Sequence, residues 1–232
     1  MIYDGFDFRS LIKVEDVHRP TMPPVLLNTK DTPGQDGDVI QGVTLEPKTI
    51  EVDIRLIAGV HGLPNQKFGI KDLRRKLSWQ LFRRQPCKLV LHDEPDIYEM
   101  AILDGSTDLE AFCYTRFTTL TWHCECASYG KTRTKSSNGG TVSTYVNGTY
   151  RTAPVVMVKA NGAFTIQFDG QPFEVTENVK GNVIINAEDH SITCDGERVE
   201  ISYFAKYPTW EPGIHKVTCN LPYTVKFRER WL

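Results

Sequence analysis

Residues 49–58 read TIEVDIRLIA, and in them Ile50, Val52, Ile54 and Leu56 alternate with Glu51, Asp53 and Arg55. Period-two alternation puts the apolar side chains on one face and the charged ones on the other, which predicts a strand half-buried against a core. The pattern returns over residues 112–124, where Phe112, Tyr114, Thr118, Leu120, Trp122 and Cys124 alternate with Thr115, Thr119, Thr121 and His123. Residues 88–93 and 98–104 flank the turn-forming Glu94-Pro95-Asp96 and predict a hairpin. The first half of the chain therefore reads as a β domain.

One segment departs from this period. Between Asn65 and Phe82, residues Ile70, Leu73, Leu77 and Leu81 fall at helical spacing. Asn65 suits a helix cap and Pro86 ends the helix. Over residues 67–84 the basic Lys67, Lys71, Arg74, Arg75, Lys76, Arg83 and Arg84 meet only Asp72, whereas the rest of residues 1–129 is strongly acidic. The net charge of −2 is thus a cancellation, not an absence of charge. A basic helix on an acidic body suits DNA, a membrane surface, an acidic neighbour or simply solvent.

At residue 130 the texture changes to GKTRTKSSNGGTVSTYVNGTYRT, rich in Gly, Ser and Thr, and a domain boundary is expected there. Residues 164–168 and 173–176 flank Asp169-Gly170, and residues 192–194 and 199–203 flank Asp195-Gly196. Asp-Gly readily takes the positive φ that tight hairpins need, so two hairpins are predicted. Residues 214–219 and 223–230 supply the last strands, and no helical period appears. A small all-β sandwich follows, which divides the 232 residues into domains 1–129 and 130–232.

With 24% charged and 40% hydrophobic residues the chain is expected to fold as a globular protein. A pI near 6.3 argues against generic nucleic-acid binding. No secretory signal or membrane-spanning run is read in it, which makes the Asn147-Gly148-Thr149 sequon irrelevant. The six cysteines form no metal-ligand pairs; His123, Cys124 and Cys126 are the one cluster with ligand chemistry and lack a second pair. No phosphate loop, dinucleotide loop, nucleophile elbow or zinc-protease helix occurs. His92-Asp93-Glu94 and Glu188-Asp189-His190 read as solvated turns. No enzyme activity, cofactor or metal is expected. The aromatics Tyr203, Phe204, Tyr207, Trp210, Tyr223 and Trp231 admit a second reading, a carbohydrate site with Tyr207 and Trp210 as its candidates, against a sandwich's need for large residues inside.

The order of features resembles the phage distal tail proteins of siphophage tail tips. The resemblance rests on Gly37-Asp38-Val39-Ile40-Gln41-Gly42 followed by Thr44-Leu45-Glu46-Pro47-Lys48-Thr49-Ile50. It continues in Leu103-Asp104-Gly105-Ser106-Thr107-Asp108-Leu109-Glu110, in Ala127-Ser128-Tyr129-Gly130, and in Tyr207-Pro208-Thr209-Trp210-Glu211-Pro212-Gly213 with the terminal Arg230-Trp231-Leu232. Trp210 stands where the family often has a smaller residue, and no large insertion interrupts the second domain. The resemblance implies a mainly β protein: an N-terminal, tail-tube-like β-sandwich with one flanking α-helix, then a galectin-like β-sandwich. It also implies a homo-hexameric ring in the virion tail tip, assembled in the host cytoplasm. The ring would join the tail tube protein to the tail-associated lysin or tip protein and the receptor-binding protein. DNA would pass through it without specific binding, and no membrane would be engaged. Asp36, Asp38 and Gln41 in the polar 31–42 loop, and Arg74, Arg75 and Arg83 on the helix, are the expected subunit contacts, with the helix facing away from the DNA channel.

Overall fold

The computed structural model describes residues 1–31, 34, 36–57, 70–105 and 117–232, with backbone alone for 70–74. The expected cap at Asn65 and the strand positions Phe112 and Tyr114 lie outside these residues. The protein is mainly β and divides into two compact units, Met1–Ser128 and Tyr129–Trp231.

The first unit contains β1 (Ile2–Tyr3), β2 (Phe6–Asp7), β3 (Ile12–His18), β4 (Val25–Asp31), β5 (Asp38–Leu45), β6 (Lys48–Leu56), α1 (Ile70–Leu81), β7 (Cys87–Val90), β8 (Glu99–Asp104) and β9 (Phe117–Cys124). Seven of these strands form one antiparallel sheet in the order β2-β1-β7-β8-β9-β6-β3, while β4 and β5 pair only with each other. Strand β6 lies between β9 and β3, with Ile50 opposite Trp122, Val52 opposite Leu120 and Ile54 opposite Val14. Ile50, Val52, Ile54 and Leu56 are all buried, so the alternation read in the sequence is the inside and outside of the sheet. Each such side chain contributes about 1.5–3 kcal/mol on leaving water.

Leu77 and Leu81 of α1 pack into the same core, as does Tyr3 of β1, whose ring meets Trp122 edge-on at 4.6 Å. The Tyr3 hydroxyl donates to the Ala101 carbonyl at 3.1 Å. Residues from strands near both edges of the sheet, Tyr3 and Ile12, share this one core, so the sheet curves round its own apolar face.

One buried polar group interrupts the core's edge. Lys48 Nζ lies 3.2 Å from Glu99 Oε2 and donates to Ser128 Oγ at 2.6 Å, and Ser128 Oγ donates to Glu99 Oε1 at 2.8 Å. All three side chains are buried.

The second unit holds β10 (Ser128–Ser137), β11 (Gly140–Val146), β12 (Val155–Asn161), β13 (Phe164–Phe168), β14 (Gln171–Val175), β15 (Lys180–Asn186), β16 (Ser191–Cys194), β17 (Glu197–Arg198), β18 (Gly213–Cys219) and β19 (Tyr223–Trp231). They form a six-stranded sheet, β10-β19-β12-β15-β16-β17, and a four-stranded sheet, β11-β18-β13-β14. Both contribute to one core containing Val156, Phe168, Phe173, Trp210, Val225 and Phe227, which makes the unit a β-sandwich. The turn Asp169-Gly170 joins β13 to β14 with positive φ at both residues, as Asp-Gly predicts.

Two expectations differ from what is found. The Gly/Ser/Thr-rich stretch after residue 130, for which no strand is read in the sequence, is strand, β10 and β11. Residues 131–136 of β10 are exposed on an edge, so no buried face imposes a readable period there. The second Asp-Gly hairpin returns only through β17, after which Ile201 bridges to Val175 in the other sheet.

Removing Glu99 alone leaves a buried ammonium without its counter-charge. Glu99→Ala should therefore cost about 3–5 kcal/mol in urea unfolding, and the Lys48→Met, Glu99→Leu pair far less. Burial also pushes the Tyr3 hydroxyl and the Cys124 thiol up to about 12. Above their ordinary values the unfolded chain releases these protons while the folded unit keeps them. Stability should fall as pH rises from about 9 toward 12; a urea midpoint that holds or rises there contradicts this.

Candidate functional site

Strands β4 and β5 form a two-stranded arm that belongs to none of the three larger sheets. Its base closes where Glu46 N–H donates to the Pro24 carbonyl at 2.9 Å. Val25 pairs with Leu45, Leu27 with Val43 and Thr29 with Ile40. The register shifts between Asn28 and Thr29, which leaves Gln41 as the extra residue of a β-bulge. The bulge changes parity along β5. It sets Ile40, not Gln41, on the face that already carries Val25, Leu27 and Val43. Every residue of β4 is exposed, and Ile40 and Val43 are 59% and 63% exposed. A two-stranded ribbon is marginal in water by itself, and one with an uncovered apolar face is a pairing surface.

The sequence reading placed a polar loop here; the structure makes it the tip of this arm. Asp38 begins β5 directly opposite Asp31, and Asp36 sits in the turn between them, all exposed. Like charges facing across a ribbon destabilise it, so this end gains from a basic neighbour. Gln41 is exposed at the bulge.

On α1, Arg75 is exposed, and Arg74 lies within the helix with its side chain outside the described residues. Arg83 is bonded within its own unit. Its Nε donates to Asp4 Oδ2 at 2.6 Å, and Nη1 donates to the carbonyls of Phe82 at 2.8 Å and Trp79 at 3.3 Å. It closes the C-terminal end of the helix, where carbonyls lack intrahelical donors. Trp79 and Phe82, 78% and 68% exposed, are the residues that project. Beside them a cleft of about 420 Å³ is lined by Ile54, Leu77, Leu81, Phe82, Leu103 and Leu120. The helical period identified the buried Leu77 and Leu81 but gave no sign of the exposed aromatics.

The nominated carbohydrate residues do not form a site. Trp210 is 1% exposed, stacked on His215 at 5.0 Å and edge-on to Phe227 at 5.6 Å. His215 is itself held by Asp169 Oδ2 at 2.8 Å and the Glu211 carbonyl at 2.6 Å. Tyr207 packs edge-on to Phe173 at 5.3 Å and against His190 at 5.2 Å. Core packing, not a sugar, claims these rings. The exposed aromatics of this unit are Tyr145, Tyr203 and Phe204.

The acidic clusters are likewise occupied. Arg19 bonds Asp93 at 3.1 Å and also Glu94, while Arg230 bonds Glu188 and Asn186 bonds Asp189 at 2.6 Å. His123 and Cys124 point to opposite faces of β9. One pair escaped the sequence reading: the Thr119 hydroxyl (2.5 Å) and His18 (3.2 Å) bond Asp53, hold its carboxyl below the usual range, and Asp53 in turn raises His18. Among the described residues no three His, Cys, Asp or Glu side chains gather as a metal site.

A family model, phage tail protein RIFT-related domain, matches residues 6–121. No curated protein matches the sequence. Among solved structures the fold is similar to that of Dit from phage SPP1, a hub protein of the adsorption apparatus of phages infecting Gram-positive bacteria. The TM-score is 0.75 at 19% identity, over 100% of this chain and 98% of that one. It is also similar to a chain of the phage P2 baseplate in its activated conformation with Ca, with a TM-score of 0.51 at 9% identity over 95% and 91% of the two chains. The strontium form of that baseplate gives 0.52 at 9% identity over the same shares.

Trp210→Ala should act as a core deletion, lowering stability by about 3–5 kcal/mol in chemical unfolding. A variant that unfolds like the parent would return Trp210 to the surface roles it was nominated for.

Proposed function

The chain belongs to the phage tail proteins of the RIFT-related domain family, and from that premise we propose that it builds a homo-hexameric ring at the siphophage tail tip. It is a structural component of the tail rather than an enzyme. The ring joins the tail tube to the tail-associated lysin or tip protein and to the receptor-binding protein, and DNA passes through it without being held.

The single observation that carries this reading is the arm. An apolar face made by Val25, Leu27, Ile40 and Val43, projecting on a ribbon outside the three larger sheets, needs a second molecule to cover it. Received by a different part of the next copy, the arm makes a head-to-tail contact, and where its rotation divides the full turn evenly such a contact closes into a ring. The division into two units supports domains 1–129 and 130–232 with separate tasks, the first assembling the ring and the second, a galectin-like sandwich, meeting other tail proteins.

Charge supports the same picture. Lysine and arginine on a channel wall would bind phosphates tightly and hold the passing DNA. The basic helix therefore turns toward a neighbour or the exterior, and acidic residues of the first unit face the lumen. Carbohydrate recognition, the alternative, loses support with Trp210 buried in the core and the half-buried Tyr207 packed against Phe173 and His190.

Light scattering on the purified protein should give about 158 kDa, six times the 26.4 kDa chain. Leu27→Lys combined with Val43→Glu, a pair that faces across the ribbon with opposite charges, should return the mass to that of a monomer and leave unfolding within about 0.5 kcal/mol of the parent, because both residues are exposed. A parent that stays monomeric at high concentration and with tail partners present defeats the proposal.

A further inference from the structure

Besides Ile184, the exposed large hydrophobic side chains of the second unit are Tyr203, Phe204, Tyr145 and Ile214, and they fall into two groups. Tyr203 and Phe204, 95% and 84% exposed, are the central residues of a β-turn in which the Ala205 N–H donates to the Ser202 carbonyl at 3.0 Å. Their rings meet edge-on at 5.6 Å. The turn is held on both sides: Ile201 bridges Val175, the Ser202 N–H donates to the Glu174 carbonyl at 3.0 Å, and Tyr207 packs on Phe173. Two rings are thus fixed as a knob beyond the β14 edge of the four-stranded sheet. Tyr145 and Ile214 form the other group. They stand directly opposite each other on β11 and β18, on the outer face of the same sheet, and β11 is its other edge.

The two groups differ in charge. The segments that bear the knob, 174–177 and 197–206, expose Glu174, Glu177, Glu197 and Glu200 against Arg198 and Lys206. Beside the Tyr145–Ile214 pair, Lys216 lies two residues along β18 on the same face, and the Lys135 Nζ donates to the Ser143 carbonyl at 3.4 Å, two residues along β11. The acids of that end are Asp169, already bonded to His215 and to the Lys216 N–H, and Glu211.

We propose that the Tyr203–Phe204 knob of each copy seats on the Tyr145–Ile214 pair of the next copy, with its glutamates toward Lys216 and Lys135. The assignment rests on the ring proposed above and gives the second units a contact of their own within it. With strands about 4.8 Å apart, the order β11-β18-β13-β14 followed by Ile201 sets the knob's strand about 19 Å from β11. One copy cannot bring the two groups together. A knob on one edge that meets a pair on the other edge is a head-to-tail contact, the kind a ring repeats. Knob on knob, a two-fold pairing, would set the glutamates against each other. The size also fits. Tyr203 and Phe204 bury about 150–250 Å² each, well short of the roughly 800 Å² per partner of a stable interface. The contact therefore forms between copies already held side by side, where the effective concentration is high.

The test is a photo-cross-link in the full chain. Light copies carrying Tyr203→benzoylphenylalanine are co-assembled with isotopically heavy parent, irradiated, digested with trypsin and mapped by mass spectrometry. Cleavage after Lys135 and Arg151 releases residues 136–151, which contain Tyr145, and cleavage after Lys206 and Lys216 releases residues 207–216, which contain Ile214. Light-to-heavy links are expected in those two peptides. In parallel, Phe204→Asp should raise the concentration for half-assembly at least tenfold, with an unchanged unfolding midpoint because the side chain is exposed. Light-to-heavy links confined to other peptides, or an unchanged assembly midpoint for Phe204→Asp, overturn the seat and leave the ring standing. A parent that forms no oligomer overturns the ring and this assignment together.

Discussion

The ammonium of Lys48 has been removed from water, and the first unit is organised around satisfying it. The Glu99 carboxylate and the Ser128 hydroxyl reach it. Lys48 begins β6, Glu99 begins β8 and Ser128 begins β10, so one polar knot ties the starts of three strands. An unmatched buried charge costs several kcal/mol, and that cost excludes arrangements in which the three strand ends separate. The knot also lies at the root of the arm. Leu45 ends β5, and the chain enters β6 at Lys48 after Glu46 has closed the arm's base on Pro24.

That arrangement separates what holds the unit together from what it offers outward. The inward face of β6 and β9 and the buried leucines of α1 complete a core within one chain. The arm face, Trp79 and Phe82 are hydrophobic residues left over from that core. In the second unit several polar groups are used internally: Arg133 and Asn147 both bond the buried Glu229, and Asp169 holds His215 against Trp210. Surface chemistry in this protein is therefore the chemistry of contact.

How much of this the sequence discloses follows from what each residue packs against. Strands β6 and β9 were legible because one face of each is buried within the chain, and burial is what writes a period into sequence. The hairpin turn at Asp169-Gly170 was legible because positive φ at both residues restricts which residues can stand there. The arm was not legible. Its apolar residues are exposed rather than buried within the chain, a bulge breaks their alternation, and the glycines and aspartates of its tip read as loop. Trp210 shows the converse limit. A tryptophan near tyrosines suits a sugar platform and a sandwich core equally well, and only the placement of His215 and Phe227 around it decides. The Lys48–Glu99 pair left no local trace, since its partners meet only after the sheet has formed.

The central claim is that this chain assembles head-to-tail through its arm into a closed six-membered ring. Electron microscopy of the purified protein tests it most directly. Class averages should show rings with six-fold symmetry and an open centre. Isolated particles of the size of one chain, two-fold dimers, or open filaments at every concentration would contradict it.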